Sequence, residues 1–275
     1  MDTPLRLLAH DPQPLEWIDY LNAASGGLRT EVRHVEVTVA TVAALPDDLD
    51  ALVLSADLQG RERIAPRAGE GKLGREGTRL LGEVVAERLH GMAEAGRLPP
   101  ADRTGVLLAG DLWAEPGSTR RGGEGDVAVV YQAFAQRFRW VAGVLGNHDE
   151  LHGPPGAGCL LLDGRVVDLD GLKVGGVGGI IGNPRKLNRK TADEFDSLLS
   201  RVLVQRPHVV LLHAGPDDPA EDRKGSALAR ECLERHARTL CVFGHCHWDE
   251  PMGAMDNGGQ LVNVDGRVIV LKRAG

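Results

Sequence analysis

Cysteine is scarce in this chain. Four in 275 residues, at positions 159, 232, 241 and 246, show no CxxC spacing. That excludes a disulfide scaffold, so free thiols in a reducing cytoplasm are the expectation. No apolar run approaches the roughly 20 residues that cross a bilayer, and the opening MDTPLRLLAHDP lacks the features of a secretory leader. Basic residues are in the minority, with 32 Lys plus Arg against 39 Asp plus Glu and a formal charge of −7. Without a basic tail or stripe, a long nucleic-acid duplex is a poor fit as partner. Neither GxxxxGK[ST] nor GxSxG occurs, which removes a P-loop and a hydrolase elbow. The closely spaced glycines of GGVGGIIG run into Pro184 and read as packing or turns, not as a dinucleotide loop.

Short runs rich in Val and Leu are present instead: residues 51–56, 105–109, 140–145, 208–212 and 239–243. Each has strand length and ends in glycine or polar residues. Helical spacing of apolar residues fills 78–96, 126–138, 191–205 and 226–236, and Thr191 with Glu194 forms a capping-box pattern. This alternation argues for an α/β architecture. Residues 160–179 and 260–272 look like hairpins with DG turns. Glycine- and charge-rich residues 60–77 and 115–125 read as surface loops. Residues 1–50 read as an N-terminal α/β extension of the sheet: strand 5–9, helix 15–24, strand 32–39 and a short helix 41–45. One domain over residues 1–275 is expected.

The strand ends carry the chemistry. The five runs lead into Asp57 and Gln59, into Asp111, into Asn147, His148 and Asp149, into His213, and into His245 and His247. One such residue after a strand is usually a turn or a cap. Five in succession, all of metal-ligand type and at the carboxyl ends where open α/β sheets place their sites, point to a cation centre. Mixed oxygen and nitrogen donors suit Mn, Fe, Zn or Co, and seven groups suit two ions that share a carboxylate.

LLAGDLW (107–113), LGNHDE (145–150), LLHAGP (211–216) and FGHCHW (243–248), in that order, resemble the GD, GNHD, H and GHxH blocks of calcineurin-like metallophosphoesterases. The resemblance implies a four-layer αββα sandwich of two mixed sheets flanked by helices. It also implies two divalent ions, Mn foremost with Fe, Zn, Co, Ni or Mg as alternatives. Asp111 would bridge them; Asn147, His213 and His245 would complete one shell, and Asp57, His247 and the residue two after Asp57 the other. His148 would sit beside the substrate as stabiliser or leaving-group acid, oriented by Asp149. The implied reaction is hydrolysis of a phosphodiester, slightly favoured, or a phosphomonoester, by a hydroxide activated on the two ions. Nucleotides and short oligonucleotides are compatible substrates, and no membrane or obligate protein partner is indicated.

Gln59 departs from the family's DxH block. It coordinates through oxygen and biases that ion toward Mn or Mg, or it bonds a metal-bound water, or that ion is lost. The sequence leaves all three open, with His10-Asp11 as a remote substitute for the missing imidazole. A crippled centre would make the chain a binding module for a protein or nucleic acid. Arg185, Lys186, Arg189 and Lys190 form a basic cluster, readable as a solvated loop or as a phosphate contact.

Overall fold

The α/β alternation resolves into two mixed sheets and four helices in a computed structural model, which describes residues 5–274 apart from 26, 28, 68, 69, 121 and 237. The larger sheet has nine strands, in the order Cys159–Leu161, Trp140–Gly143, Thr104–Leu108, Ala51–Ser55, Val268–Arg273, Thr30–Ala43, Arg6–Ala23, Arg61–Ile64 and Arg75–Leu80. The smaller has six, in the order Arg165–Leu169, Leu172–Val177, Val209–Ala214, Leu240–Gly244, Gln260–Asn263 and Met252–Ala254.

Period-two side-chain alternation builds the layers. Along the larger sheet Val53, Val106 and Val141 face helices α1 (Leu81–Glu94) and α2 (Ala128–Ala135), meeting Val85, Leu89, Val130 and Phe134. Leu52, Leu54, Leu107 and Ala142 face the other way, onto Val209, Leu211, Leu240 and Val242 of the smaller sheet. That sheet's remaining face, Val210, Leu212, Cys241 and Phe243, is covered by α3 (Ala192–Leu203) and α4 (Ala227–Glu234). The four-layer sandwich is therefore present. Its central strands are buried on both faces, which is why they read as unbroken apolar runs. No described helix is long and apolar enough to cross a membrane.

The capping box at α3 forms as the sequence indicates. Thr191 Oγ1 accepts from Glu194 N at 3.2 Å, and Glu194 Oε2 accepts from Thr191 N at 2.8 Å. Thr191→Ala is expected to cost about 1 kcal/mol, read as a lower urea midpoint at unchanged slope. A midpoint equal to wild type would show that packing alone holds the helix start.

Elsewhere the structure corrects the sequence reading. Residues 15–24 are not a helix: Arg6–Ala23 is one long strand, paired antiparallel with Thr30–Ala43, which also absorbs the short helix expected at 41–45. Leu15, Ile18 and Leu21 have helical spacing, but Ile18 and Tyr20 are buried while Trp17 is 48% exposed, the alternation of a strand. The strand is held in a sheet by parallel pairing of Thr30–Ala43 with Val268–Arg273, some 230 residues away. Residues 60–77 contain a hairpin, Arg61–Ile64 with Arg75–Leu80, on the outer edge. Residues 260–272 form no hairpin, because Gln260–Asn263 and Val268–Arg273 belong to different sheets. The hairpin within 160–179 is real and turns at Asp170 and Gly171, both at positive φ.

Candidate metal centre

Parallel pairing aligns Ala51–Ser55, Thr104–Leu108 and Trp140–Gly143 in one sheet, and Val209–Ala214 with Leu240–Gly244 in the other. Their carboxyl ends consequently share an edge, and the polar residues that follow converge there. Asp57, Asp111 and His245 all take left-handed backbone, with φ of 54°, 54° and 69°. Such strain in non-glycine residues turns each side chain sharply off its strand, and it is typical of functional sites.

The glycines before the candidate ligands Asn147 and His245 admit close approach. A Cβ on Gly146 would lie 1.9 Å from Asp111 Oδ1, and one on Gly244 would lie 2.1 Å from Asp57 Oδ2. Glycine in the GN and GH pairs leaves room for carboxylates from other strands that press against the backbone.

Donor atoms of Asp111, His213 and His245 lie within 4.8 Å of one another. Asn147 joins them, its Oδ1 3.3 Å from His213 Nε2. His213, fully buried, bonds Ala109 O through Nδ1 at 2.9 Å, which fixes the proton there and leaves Nε2 toward Asp111 Oδ2 at 3.4 Å. A backbone carbonyl setting the tautomer in this way is the usual outer support of a ligating imidazole. Two carboxylate or amide oxygens and two imidazole nitrogens make a donor set that fits a divalent transition ion.

The second group is less complete. Asp57 Oδ2 accepts from His245 N at 2.9 Å, and Gln59 Nε2 donates to Asp111 Oδ2 at 3.2 Å. His247 has partners at both nitrogens: Asp265 O and Oδ1 lie 3.3 Å from Nδ1, and Arg267 Nη2 lies 3.0 Å from Nε2. An ion here would have to displace the guanidinium. His10, the remote substitute, meets Thr38 Oγ1 at 3.1 Å through its Nε2.

Electrostatics follow from burying several carboxylates together. Burial, then the charges of Asp265 and Asp111, push the Asp57 carboxyl well above its ordinary range. Burial and the Asp111 charge push Asp149 up to about 6. Burial opposes the charged form of His213, but the Asp111 carboxylate outweighs it and lifts the imidazole to about 10.

Asp149 is placed differently from the expectation. Its carboxylate does not bond the His148 ring; it accepts four backbone N–H groups, from Asp111 (2.7 Å), Leu112 (2.7 Å), Trp113 (3.2 Å) and Gly146 (2.9 Å). The carboxylate welds the GD loop to the GNHD loop. The His148 ring is held instead by Gly123 O, 2.7 Å from Nδ1, with Nε2 4.0 Å from Asp111 Oδ2.

Sequence reasoning missed three further supports. Asn188 Nδ2 donates to Gly146 O and Asp149 O at 2.7 and 2.8 Å. Asn263 receives Trp248 N and donates to Cys246 O, bracing the GHCHW loop. Arg267 caps His247. The NVDGRV stretch carried the last two, but nothing local assigns them a partner.

A cleft of about 770 Å³ opens over these groups, lined by Asp57, Gln59, Asp111, His148, His245 and His247 among others. The basic cluster at 185–190 does not line it; Lys190 instead bonds Gly178 O and pairs with Asp163.

A family model described as calcineurin-like phosphoesterase matches residues 84–249, well over half of the chain. The match includes Asp111, Asn147, His148, His213, His245 and His247, and it begins after Asp57 and Gln59. No curated protein matches the chain.

Proposed function

The chain belongs to the calcineurin-like phosphoesterase family, whose chemistry is metal-dependent hydrolysis of phosphoesters, and from that premise we propose a Mn-preferring hydrolase that uses two ions of unequal affinity. The observation that carries the reading is the convergence of Asp111, His213 and His245 within 4.8 Å at the strand ends. Asp111, Asn147, His213 and His245 would hold the tighter ion. Asp57, Gln59 and His247 would hold the weaker one, sharing Asp111. When bound, divalent ions supply Lewis acidity toward the phosphoryl group and a field that generates the nucleophile near neutral pH.

The chain's own residues do the rest. His148, with its Nδ1 proton committed to Gly123 O, presents Nε2 to the cleft, where it can hold or deliver a proton at the departing oxygen. Asp149 positions both loops through their amides and does not meet substrate. Diesters remain slightly favoured, and the four free cysteines accord with a reducing compartment. The test is hydrolysis of p-nitrophenyl phosphate and bis-p-nitrophenyl phosphate with Mn, Ni or Co. Turnover of neither would select the rival reading, a binding module, which Gln59 and the Arg267 contact on His247 favour.

Gln59 weakens the second position because it offers one neutral oxygen where imidazole would offer a nitrogen. Calorimetric titration of Mn is expected to show two affinities, and Gln59→His is expected to tighten only the weaker, by about tenfold. Identical isotherms for the two proteins would remove Gln59 from the ligand set.

A further inference from the structure

We infer that the hairpin of strands Arg6–Ala23 and Thr30–Ala43 is a wall of the substrate cleft, and that its Arg33, with Arg120 of the loop it abuts, binds a second phosphate carried by the substrate. The inference rests on the phosphoesterase reading for the first phosphate.

The hairpin is fastened to the centre itself. Asn22 Nδ2 donates to Gln59 O at 2.7 Å. The Tyr20 ring packs on Gly60, where a Cβ would come within 2.2 Å of it. Thr30 Oγ1 donates to Ser118 O at 3.0 Å, tying the hairpin to the loop whose Gly123 O holds His148. These strands lie outside the family match, which covers residues 84–249.

Two cations on that side look into the cleft. Arg33 lies directly across the strand pair from Tyr20, on the same face, and it interacts with the tyrosine hydroxyl. Glu31 Oε1, 2.5 Å from Arg33 Nη2, holds the guanidinium in place. Arg120 lines the same cleft and has no hydrogen-bond or ion-pair partner among the described residues. The cleft's carboxylates, Asp57, Asp111 and Asp265, are not paired with either arginine. Both arginines line the same 770 Å³ cleft as the proposed ion ligands. A substrate whose first phosphate meets the ions and that also engages the arginines needs a second charged group. Planar guanidinium forks suit the second as a phosphate.

The experiment compares thymidine 3′,5′-bisphosphate with thymidine 5′-monophosphate, by calorimetry on the Mn-loaded full chain. Wild type is expected to bind the bisphosphate about tenfold more tightly, the range of charge-assisted hydrogen bonds to one phosphate. Arg33→Gln with Arg120→Gln is expected to erase that preference, and monophosphate affinity is expected to fall by no more than about twofold. The p-nitrophenyl ester of thymidine 5′-phosphate, with and without a 3′-phosphate, is expected to show the same change in KM rather than kcat. A wild type with no bisphosphate preference, or a preference surviving in the double variant, overturns the inference while hydrolysis stands. Preference lost on substitution, but with no ester cleaved under any metal, overturns the catalytic reading and leaves the second-phosphate site intact.

Discussion

Asp111→Asn is expected to lower turnover of bis-p-nitrophenyl phosphate by roughly a thousandfold or more, because it removes the one carboxylate common to both proposed ion positions. Asp111 is 3% exposed, and its two oxygens face different neighbours: Oδ1 accepts from His148 N at 3.0 Å, while Oδ2 meets Gln59 Nε2 and His213 Nε2. Asparagine preserves the volume and tolerates the left-handed backbone at φ 54°. It offers a single neutral oxygen and an N–H₂ that no cation accepts. The melting temperature should therefore stay close to wild type while bound Mn, measured by elemental analysis after gel filtration, drops. Activity within about tenfold of wild type at saturating Mn would remove Asp111 from the centre.

Asp149→Ala is expected to give the largest loss of stability. Four backbone N–H groups converge on a carboxylate that is fully buried. Deleting the acceptor strands them away from water, and each buried unsatisfied donor costs about 1–3 kcal/mol before relaxation. With partial relaxation we expect a net loss of about 4 kcal/mol and a melting temperature lower by about 10 °C. Asp149→Asn keeps one acceptor oxygen and turns an N–H₂ against N–H, so it should fall between. A melting temperature for Asp149→Ala within about 2 °C of wild type would show that the loops are held by Asn188 and packing instead. The same variant separates two roles. If Asp149 oriented His148, stability would hold and only turnover would fall.

The proposed ligands were legible in the sequence because each follows the end of an apolar run within four residues, so strand identification and residue type together located them. The glycines before them were legible as motif letters, although their cause was not. Only the packed structure shows Gly146 and Gly244 making room for carboxylates from other strands. The supports were hidden for a related reason. Asn188 reaches back 42 residues to Gly146 O, and Asp265 and Arg267 meet His247 across about twenty. A polar side chain in a loop carries no local mark of the backbone group it will satisfy. Asp149 was legible as part of GNHD, yet its partners, four amides drawn from two loops, were not.

The sequence by itself determined the sandwich and which residues are candidates for the metal centre, since buried strands need continuous apolar residues and ligand chemistry is a property of residue type. The tertiary structure decided what those groups touch. Residues 15–24 read as a helix from their apolar spacing, but they form a strand in a sheet where the distant strand Val268–Arg273 pairs with Thr30–Ala43, and His247 read as an ion ligand, but the fold brings Arg267 beside it. Both choices turn on contacts between segments far apart in the chain, where the free energy belongs to the pairing and neither segment carries it alone.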